Sequence, residues 1–362
     1  MSSSPIDINV TDACSRLGFA FSGVCDVVPS AHTKAFHAWL RAGKHGSMQY
    51  LARNTELRAN PQSLLPGAQT AIIVADLYAA RGDGAADAFG AAPPASGKIA
   101  RYARGRDYHT VLKKRLHMLA DELRCAHPGA GFRTFVDTAP VLERELAQLA
   151  GLGWVGKHTL LIHPKLGSYF LLGGILTTLE IPRSTRVVSD HCGTCTRCIE
   201  ACPTDAISPY SVDASRCISY LTIENRAPID ARFHDSIGDW LYGCDICQEV
   251  CPHNSPRGAE ADVGAINPEY TPRRSSLPLA EVLRWTTDDR LAAVAGTAMT
   301  RATLEMMKRN AVIVSANAIR SGCPEPHRTE LLLRLTELSS DSAESTELTA
   351  LAASVLERLH AG

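Results

Sequence analysis

The sequence has neither a long apolar run nor an excess of charge of one sign. The longest apolar stretch, around residues 170–179, is too short to cross a bilayer, and the chain begins without the cationic start and apolar run of a secretory signal. The 37 Lys and Arg residues nearly balance the 38 Asp and Glu residues, and the net charge of −1 does not attract a polyanion. We therefore expect a cytoplasmic protein, not associated with a membrane, in which any contact with nucleic acid uses a local basic patch.

The common nucleotide-binding motifs are missing as well. No GxGxxG follows a predicted strand and no GxxxxGK[ST] loop is present, so no motif supports a nicotinamide or nucleotide site. The segment DYHTV, which begins at Asp107, does not match the DxHxxG motif of one class of cobalamin sites. The residues alone therefore do not identify an organic cofactor.

Cysteine, in contrast, is abundant. Eight of the twelve cysteines lie between Cys192 and Cys251. Thiols stay reduced in the cytoplasm, so metal ligation explains this density better than disulfide bonds do. Residues 192–203 read CxxCxxCxxxCP, the motif of bacterial ferredoxins in which the fourth cysteine binds the neighbouring cluster. The tail of this motif, CxxCxxxCP, recurs at residues 244–252.

The ligand count predicts two four-iron clusters. They need eight thiolates, and the two motifs supply seven because Leu241 stands where a further cysteine would be needed. Cys217 is the only cysteine between the motifs, and we assign it as the eighth ligand. The crossed arrangement then predicts one cluster on Cys192, Cys195, Cys198 and Cys251, and the other on Cys202, Cys217, Cys244 and Cys247. Structural zinc is the alternative, but zinc sites do not use this triple spacing. The other cysteines are expected to be small core residues: Cys14, Cys25, Cys125 and Cys323.

Strands and helices alternate in the first half of the chain. Apolar, β-prone runs predict strands at residues 70–78 and 132–136, and a strand pair or one broken strand at residues 169–181. Helical spacing of apolar residues predicts a helix at residues 110–124, and Pro140 opens another that ends before Gly151. The Gly-, Ala- and Pro-rich stretch at residues 81–97 is expected to be a loop. Residues 1–185 are therefore interpreted as an α/β or α+β domain.

The second half divides into a cysteine-rich segment and a helical end. Residues 186–262 are expected to form a ferredoxin-like insert that holds both clusters. Residues 263–362 are expected to be α-helical, because leucines share one face in successive segments separated by short loops. Paired helices of this kind resemble HEAT-type repeats.

Several segments taken together resemble one known family. They are RYARGRDYH (residues 101–109), VDTAPVLER (136–144), GLGWVGKHTLLI (151–162), GSYFLLGGILT (167–177), the cluster run and CISYLTIENR (217–226). This combination is similar to the epoxyqueuosine reductases over roughly residues 10–320. The resemblance implies a nitroreductase-like domain that binds cobalamin without a histidine on cobalt, and two four-iron clusters. It also implies that the epoxide oxygen of epoxyqueuosine in tRNA anticodons is removed to give queuosine.

The resemblance also implies a set of site residues. Asp137 matches the proton donor to the departing oxygen, a role that requires burial to raise its pKa against the pull of the following helix. The residues alone equally allow Asp137 to be a helix cap. Five further residues are expected on the cofactor side: Arg58, Lys157, His158, Ser168 and Tyr220. For each of them a surface ion pair, a satisfied polar contact or simple packing is the alternative.

Basic residues are concentrated in the helical region, although the net charge of the whole chain is close to zero. They are Arg273, Arg274, Arg284, Arg301, Lys308, Arg309 and Arg320. Such a cluster predicts contact with tRNA phosphates, although a charged helix face is more often only solvated. The segment KRNAVIVSANA resembles a helix of the family and implies a phosphate contact near Arg309. The expected tRNA-binding residues are Arg273, Arg274, Lys308, Arg309 and Asn310.

Two other functions stay open. A reductive dehalogenase acting on a small halogenated substrate belongs to a related family, but the basic helical end and the missing export signal argue against it. A noncatalytic electron carrier is the second alternative, and it is disfavoured because such a protein would not need the large first domain. For a reductase, we expect an external electron donor such as a flavodoxin or ferredoxin system, and a monomeric protein.

Overall fold

The structure is a computed structural model, and it describes residues 9–81, 93–184, 188–255 and 266–361. Its strands are β1 (Phe21–Asp26), β2 (Thr70–Leu77), β3 (Ser96–Ile99), β4 (Phe132–Phe135), β5 (Trp154–Val155), β6 (Leu161–Ile162), β7 (Phe170–Thr177), β8 (Ile207–Ser208), β9 (Ser211–Val212), β10 (Trp240–Tyr242) and β11 (Ser276–Pro278). Its α-helices are α1 (Val10–Arg16), α2 (Thr33–Arg41), α3 (Gln49–Ala52), α4 (Thr55–Ala59), α5 (Tyr108–Ala126), α6 (Glu143–Leu149), α7 (Arg197–Glu200), α8 (Ile218–Ile223), α9 (His234–Ile237), α10 (Ile246–Glu249), α11 (Leu279–Arg284), α12 (Thr287–Val294), α13 (Leu304–Arg320), α14 (His327–Ser340) and α15 (Thr346–Ala361).

The first half is built on a four-stranded antiparallel sheet in the order β1-β2-β7-β4. Every residue of β2 is buried, because helices cover both faces of the sheet. Leu112 and Leu116 of α5 pack on one face, and Leu146 of α6 packs on the other. The strands predicted at residues 70–78 and 132–136 and the helix predicted at residues 110–124 are therefore confirmed.

Gly173 and Gly174 do not break the strand, because β7 continues through both residues. A Cβ atom on Gly174 would lie 2.5 Å from the Phe135 ring and 2.7 Å from the carbonyl oxygen of Ile72. These distances are far inside van der Waals contact, so only glycine fits at this position. The glycines therefore permit close packing inside the sheet rather than a turn.

A second sheet joins the three predicted parts of the chain. Strand β3 pairs in parallel with β10 and antiparallel with β11. The largest apolar core likewise combines all three parts, through residues such as Ile99, Trp240 and Val312. The predicted boundaries near residues 185 and 262 lie outside the described residues, and this core extends across both of them.

The helical end of the chain is confirmed as three long helices, α13, α14 and α15. Leu335 and Ala352 belong to the same core as Val312 of α13. Helix α13 is buried over most of its length because it also packs against α8, α9 and β10 of the cysteine-rich segment. The helical end therefore supports the segment that holds the cluster cysteines.

Three further local predictions are wrong. The predicted loop at residues 81–97 ends in β3, while its residues 82–92 lie outside the described part of the chain. The helix predicted from Pro140 begins only at Glu143, because residues 137–142 form a turn. Cys125, predicted to be a core residue, is exposed. Among the described helices, none is long and apolar enough to cross a membrane.

Replacing Gly174 by alanine should destabilise the protein, because the new methyl group collides with Phe135 and the main chain of Ile72. Overpacking of this kind costs about 1–3 kcal/mol. The matched control is Gly129→Ala, since a Cβ at Gly129 meets no described atom within 4 Å. Thermal midpoints of the two variants measure the effect, and equal midpoints would contradict the packing argument.

Candidate active site

Asp137 lies in a cluster of titratable side chains just after β4. Its φ of 50° is in the left-handed region, which a residue other than glycine adopts only when its surroundings hold it there. The main-chain N–H of Asp137 donates to Oε1 of Glu143 at 2.5 Å. Oδ2 of Asp137 accepts from the hydroxyl of Tyr108 and lies opposite Nε2 of His109, both at 3.1 Å. The turn thus holds the carboxylate against the start of α5.

His109 is held between two carboxylates. Its Nδ1 lies 2.8 Å from Oδ1 of Asp107, and its Nε2 lies 3.1 Å from Oδ2 of Asp137. Burial lowers the pKa of His109, but the hydrogen bonds and negative charges of Asp107 and Asp137 outweigh burial and raise the pKa to about 9. The imidazole is therefore a cation at neutral pH, with both ring nitrogens engaged.

The pKa of Asp137 shifts in the direction opposite to the one expected from the sequence. Burial raises it, but the hydrogen bond and charge of His109, the hydroxyl of Tyr108 and the charge of Arg144 together hold the pKa below its ordinary value. The Asp137 side chain is also 58% exposed. Within the protein alone, burial therefore does not keep this carboxyl protonated, and the nearby proton resides on His109.

Glu143 and Arg144 connect this cluster to the cysteine-rich segment. Burial, together with the negative charge of Asp137, raises the pKa of Glu143 to about 8. Nη1 of Arg144 donates to the main-chain oxygen of Thr159 at 2.9 Å. The charge of Arg144 interacts both with Asp137 and with the thiol of Cys247. Arg144 is thus a common neighbour of the acid-base cluster and of one predicted cluster ligand.

The eight predicted ligand cysteines fall into two neighbourhoods. Burial raises the pKa of Cys198, and the charges of three neighbouring cysteines raise it further: Cys251, Cys192 and Cys195. Burial also raises the pKa of Cys247, and the charges of Cys217, Cys198 and Cys202 raise it further, so the two neighbourhoods adjoin at Cys198 and Cys247. The thiol of Cys244 has Cys247 and Cys217 as neighbours. Along the described chain, no three His, Cys, Asp or Glu side chains are arranged to hold a single metal ion.

The two groups of cysteines differ in their surroundings. Residues next to Cys192, such as His191 and Gly193, are exposed, whereas Asp245 beside Cys244 is buried. Trp154 packs edge-on against His191 and His253, with ring centroids 5.1 Å and 4.8 Å away. The sequence neighbours of Cys192 are therefore exposed, although Cys198 and Cys251 of the same group are buried.

Lys157, predicted to be on the cofactor side, holds the loop of the first cysteine group. Its Nζ donates to the main-chain oxygens of Gly193 at 2.6 Å and Cys195 at 3.0 Å. Ser168 has a similar role, because its Oγ accepts from Nε2 of Gln248 at 3.0 Å and from Nδ2 of Asn254 at 2.9 Å. Both side chains link the first part of the chain to the cysteine-rich segment.

Arg58 and His158 contain buried nitrogen atoms that have no hydrogen-bond partner among the described residues: Nε of Arg58 and Nε2 of His158. Burial, with the charge of Arg144, lowers the pKa of His158 to about 4. Its Nδ1 accepts from the N–H of Leu160 at 3.1 Å, so the neutral ring carries its hydrogen on Nε2. Arg58 is an electrostatic neighbour of Glu143 and Asp137. Both residues therefore present unused donors in the surroundings of the site.

Tyr220, also predicted to be on the cofactor side, contacts the segment before α3. Its hydroxyl accepts from the N–H of Ser47 at 2.7 Å and donates to Oγ of Ser47 at 2.8 Å. A Cβ on Gly46 would lie 2.5 Å from this hydroxyl. Tyr220 therefore positions the chain at residues 46–47.

The structure corrects the prediction that Lys308, Arg309 and Asn310 contact tRNA. Arg309 is 6% exposed and Asn310 is 1% exposed, and their side chains donate to main-chain oxygens around α8 and β10. Lys308 is buried and paired with Glu344. Side chains buried in this way are not available to a phosphate. Of the other basic residues, Arg274 is half-buried, and the exposed ones are Arg273, Arg284, Arg301 and Arg320.

Comparison with known proteins identifies the family. The family model described as epoxyqueuosine reductase QueG, DUF1730, matches residues 58–138. An epoxyqueuosine reductase from Burkholderia pseudomallei is 42% identical over 329 residues, which cover 84% of this chain and 80% of that protein. The chain belongs to the epoxyqueuosine reductase family. Another epoxyqueuosine reductase, from Pseudomonas aeruginosa, is 39% identical over 316 residues, covering 86% of this chain and 85% of that protein.

The cysteine-rich segment of this epoxyqueuosine reductase family member matches a second model, described as a 4Fe-4S double cluster binding domain, at residues 191–254. The match contains all eight predicted ligand cysteines. The prediction that this segment binds iron-sulfur clusters is therefore confirmed.

Solved epoxyqueuosine reductases share the fold. The enzyme from Bacillus subtilis has a TM-score of 0.82 and 25% identity, covering 96% of this chain and 88% of that chain. In that structure a catalytic aspartate loop is swung out of the active site. An epoxyqueuosine reductase solved with a tRNA-Tyr epoxyqueuosine-modified stem loop has a TM-score of 0.80 and 24% identity, covering 96% of this chain and 97% of that chain.

Four residues around Asp137 were not identified from the sequence: Asp107, Tyr108, His109 and Glu143. The available signal was their presence in the family-like segments RYARGRDYH and VDTAPVLER. Nothing in the spacing of the two segments indicates that an imidazole in one meets a carboxylate in the other.

Replacing Cys217 by alanine should remove one cluster, because it deletes the ligand that belongs to neither motif. Iron content should fall from roughly eight to roughly four atoms per chain, with loss of the matching signal in electron paramagnetic resonance. Cys125→Ala is the control, since Cys125 is an exposed cysteine outside both groups. A Cys217→Ala protein with the full iron content would show that another residue supplies the eighth ligand.

Replacing His109 by glutamine should remove a pH-dependent contribution to stability. The pKa of His109 is about 9 in the folded protein against 6.5 ordinarily, so this contribution is fully present below pH 6.5 and is lost as pH rises through about 9. The difference in thermal midpoint between parent and variant should therefore shrink between about pH 6 and pH 10. His117→Gln, on the exposed side of α5, should show no such trend. A difference that stays constant for His109→Gln rules out the raised pKa.

Proposed function

We propose that this chain reduces epoxyqueuosine to queuosine at the wobble position of tRNA anticodons, the last step in forming queuosine. The observation that carries the proposal is the position of Asp137, which sits on a strained turn beside His109 and shares the neighbour Arg144 with Cys247. Removing an epoxide oxygen as water consumes two electrons and two protons. An acid-base cluster next to a redox centre suits this reaction, and the sequence relatives are named for it.

In this proposal the cysteines bind two four-iron clusters as the crossed motif requires. One is held by Cys192, Cys195, Cys198 and Cys251, and the other by Cys202, Cys217, Cys244 and Cys247. Bound clusters of this kind transfer one electron at a time. The exposed residues around Cys192 leave room for an external donor, such as a flavodoxin or ferredoxin system. The group with Cys247 lies on the side of Arg144 and the acid-base cluster.

Cobalamin is the cofactor that the family resemblance implies beside Asp137. The residues present fit a large group rich in amides, because Nε of Arg58 and Nε2 of His158 are buried donors without partners in the described structure. Leaving such a group unsatisfied costs about 1–3 kcal/mol, which bound acceptors would recover. Arg58 and His158 would hold polar edges of the cofactor, and neither is proposed to bind cobalt. When bound, cobalamin supplies a reducible cobalt centre that acts on the epoxide.

His109 and Asp137 supply one of the two protons that the departing oxygen takes up as it leaves as water, and the second comes from solvent. The cationic imidazole holds the first of these protons at Nε2, 3.1 Å from Oδ2 of Asp137, while Asp107 fixes the ring from Nδ1. As negative charge develops on a substrate oxygen beside Asp137, the proton passes from His109 through the Asp137 carboxyl to that oxygen. Asp137 can therefore donate a proton although its own pKa is low.

The proposal also covers the residues that contact tRNA, the fold of the two ends of the chain, the oligomeric state and the cellular location. Of the basic residues predicted to contact tRNA, we keep Arg273 and Arg274. We interpret α13–α15 as a HEAT-like unit, and the first half as a nitroreductase-like domain. The protein acts as a monomer in the cytoplasm, where tRNA is modified.

Replacing Asp137 by asparagine should abolish turnover, because the amide cannot pass a proton to the substrate. Positioned proton transfer contributes about 10²–10⁴-fold in rate, so the variant should fall by that factor while it keeps its iron. The assay is anaerobic incubation of the cluster-loaded protein with cobalamin, a reductant and epoxyqueuosine-bearing tRNA, followed by nucleoside analysis.

Asp121→Asn is the matched control, because Asp121 is an exposed carboxylate on α5 whose ion pair is with Arg124 of the same helix. Turnover by the Asp137 variant at the parent rate would show that Asp137 does not pass the proton. A parent protein that is loaded with both cofactors and forms no queuosine would rule out the proposed function itself.

A further inference from the structure

An exposed tyrosine lies beside an arginine near the Asp137 cluster. Tyr50 of α3 is 45% exposed, so its ring is accessible at the surface. The guanidinium carbon of Arg301 lies 5.8 Å from the centroid of its ring. The two residues come from opposite halves of the sequence, so the fold and not local chain geometry brings them together.

The charge of Arg301 is already paired. Its Nε donates to Oε1 of Glu224 at 2.9 Å, and its Nη2 donates to Oε2 at 2.7 Å. This two-point pairing uses the edge of the guanidinium and fixes its plane next to the Tyr50 ring. An arginine held in this way contributes a flat surface more than a net positive charge.

The segment that carries Tyr50 is held in place by hydrogen bonds to α8. Tyr220 of α8 holds Ser47 through two hydrogen bonds, and α8 ends next to Glu224. Tyr50 and Arg301 are therefore both anchored to α8, one through Ser47 and the other through Glu224. The ring and the guanidinium have a defined relative position before any ligand binds.

The pair also lies close to the proposed reaction site. Burial raises the pKa of Tyr50, and the charges that modify this shift come from Glu224, Arg301, Asp137 and Arg58. Two of these four residues, Asp137 and Arg58, belong to the surroundings of the proposed proton transfer. Tyr50 is thus an electrostatic neighbour of both Asp137 and Arg301.

We propose that Tyr50 and Arg301 form a platform on which a nucleobase of the single-stranded anticodon loop, adjacent to the modified nucleoside, stacks during the reaction. The inference rests on the proposed function, because it takes tRNA to be the substrate. Single-stranded bases are recognised by stacking on aromatic rings and guanidinium planes. Such a platform would hold the loop while the modified base enters the site, and it would bind through surface contact rather than through charge.

The test measures binding of an anticodon stem-loop RNA to the cluster-loaded protein by fluorescence anisotropy over a range of salt concentrations. Tyr50→Ala and Tyr50→Leu both remove the aromatic face and should weaken binding about 5- to 150-fold, the range for loss of one stacked base. Tyr50→Phe keeps the face and should bind like the parent. Because no phosphate contact is lost, the slope of log affinity against log salt should not change.

Tyr210→Ala is the matched control, since Tyr210 is 48% exposed but its hydroxyl pairs with Asp190 in the cysteine-rich region. Iron content verifies that each variant is folded.

Parent-like binding by Tyr50→Ala and Tyr50→Leu would overturn the platform. A weaker affinity accompanied by a shallower salt slope would also overturn it. If the parent converts epoxyqueuosine in tRNA and these variants bind normally, only the platform fails. If the parent neither binds the stem-loop nor forms queuosine, the proposed function fails with it.

Discussion

The positions of α8 and β10, which lie next to Cys217 and Cys244, depend on two buried side chains of α13. Nη1 of Arg309 donates to the main-chain oxygens of Asn225 and Ala227, both at 2.7 Å, and Nη2 donates to that of Leu221 at 2.8 Å. Nδ2 of Asn310 donates to the oxygens of Thr222 at 2.9 Å and Leu241 at 3.0 Å. A buried guanidinium is tolerated only with its donors satisfied, so these bonds hold α8 and β10 in one place. Those elements carry Cys217 at one end and lead to Cys244, and α8 also carries Tyr220.

The protonation of the acid-base cluster likewise depends on the charges of neighbouring side chains. Asp137 could serve as a proton donor in two ways, through a raised pKa of its own or through a protonated partner. The structure favours the second, because Asp107 and Asp137 together make His109 a cation and thereby lower the pKa of Asp137. Two carboxylates around one imidazole store a proton near neutral pH without burying an uncompensated charge. The positive charge of Arg144 interacts with Asp137 and also with Cys247, so positive and negative side chains of the site lie close to one another.

The sequence predicted those features that depend on local pattern. The sheet strands at residues 70–78 and 132–136 and the long helix α5 follow from apolar periodicity, and the cluster cysteines follow from spacing that few other sites use. Predictions failed where a residue type has several ordinary roles. Arg309 reads as a surface charge in a basic segment, and only the packing of α13 against α8 shows that its partners are main-chain oxygens. Gly174 reads as a strand breaker, although it is needed where Phe135 approaches.

The sequence by itself determined that the chain contains a mixed helix and strand domain, a double-cluster segment and a helical end, because periodicity and cysteine spacing are properties of nearby residues. Tertiary structure alone decided that His109 meets Asp137, that the charge of Arg144 acts on both Asp137 and Cys247, and that the core crosses all three parts. Protonation states depend on charges a few ångströms away in space, and those charges come from residues far apart in the chain.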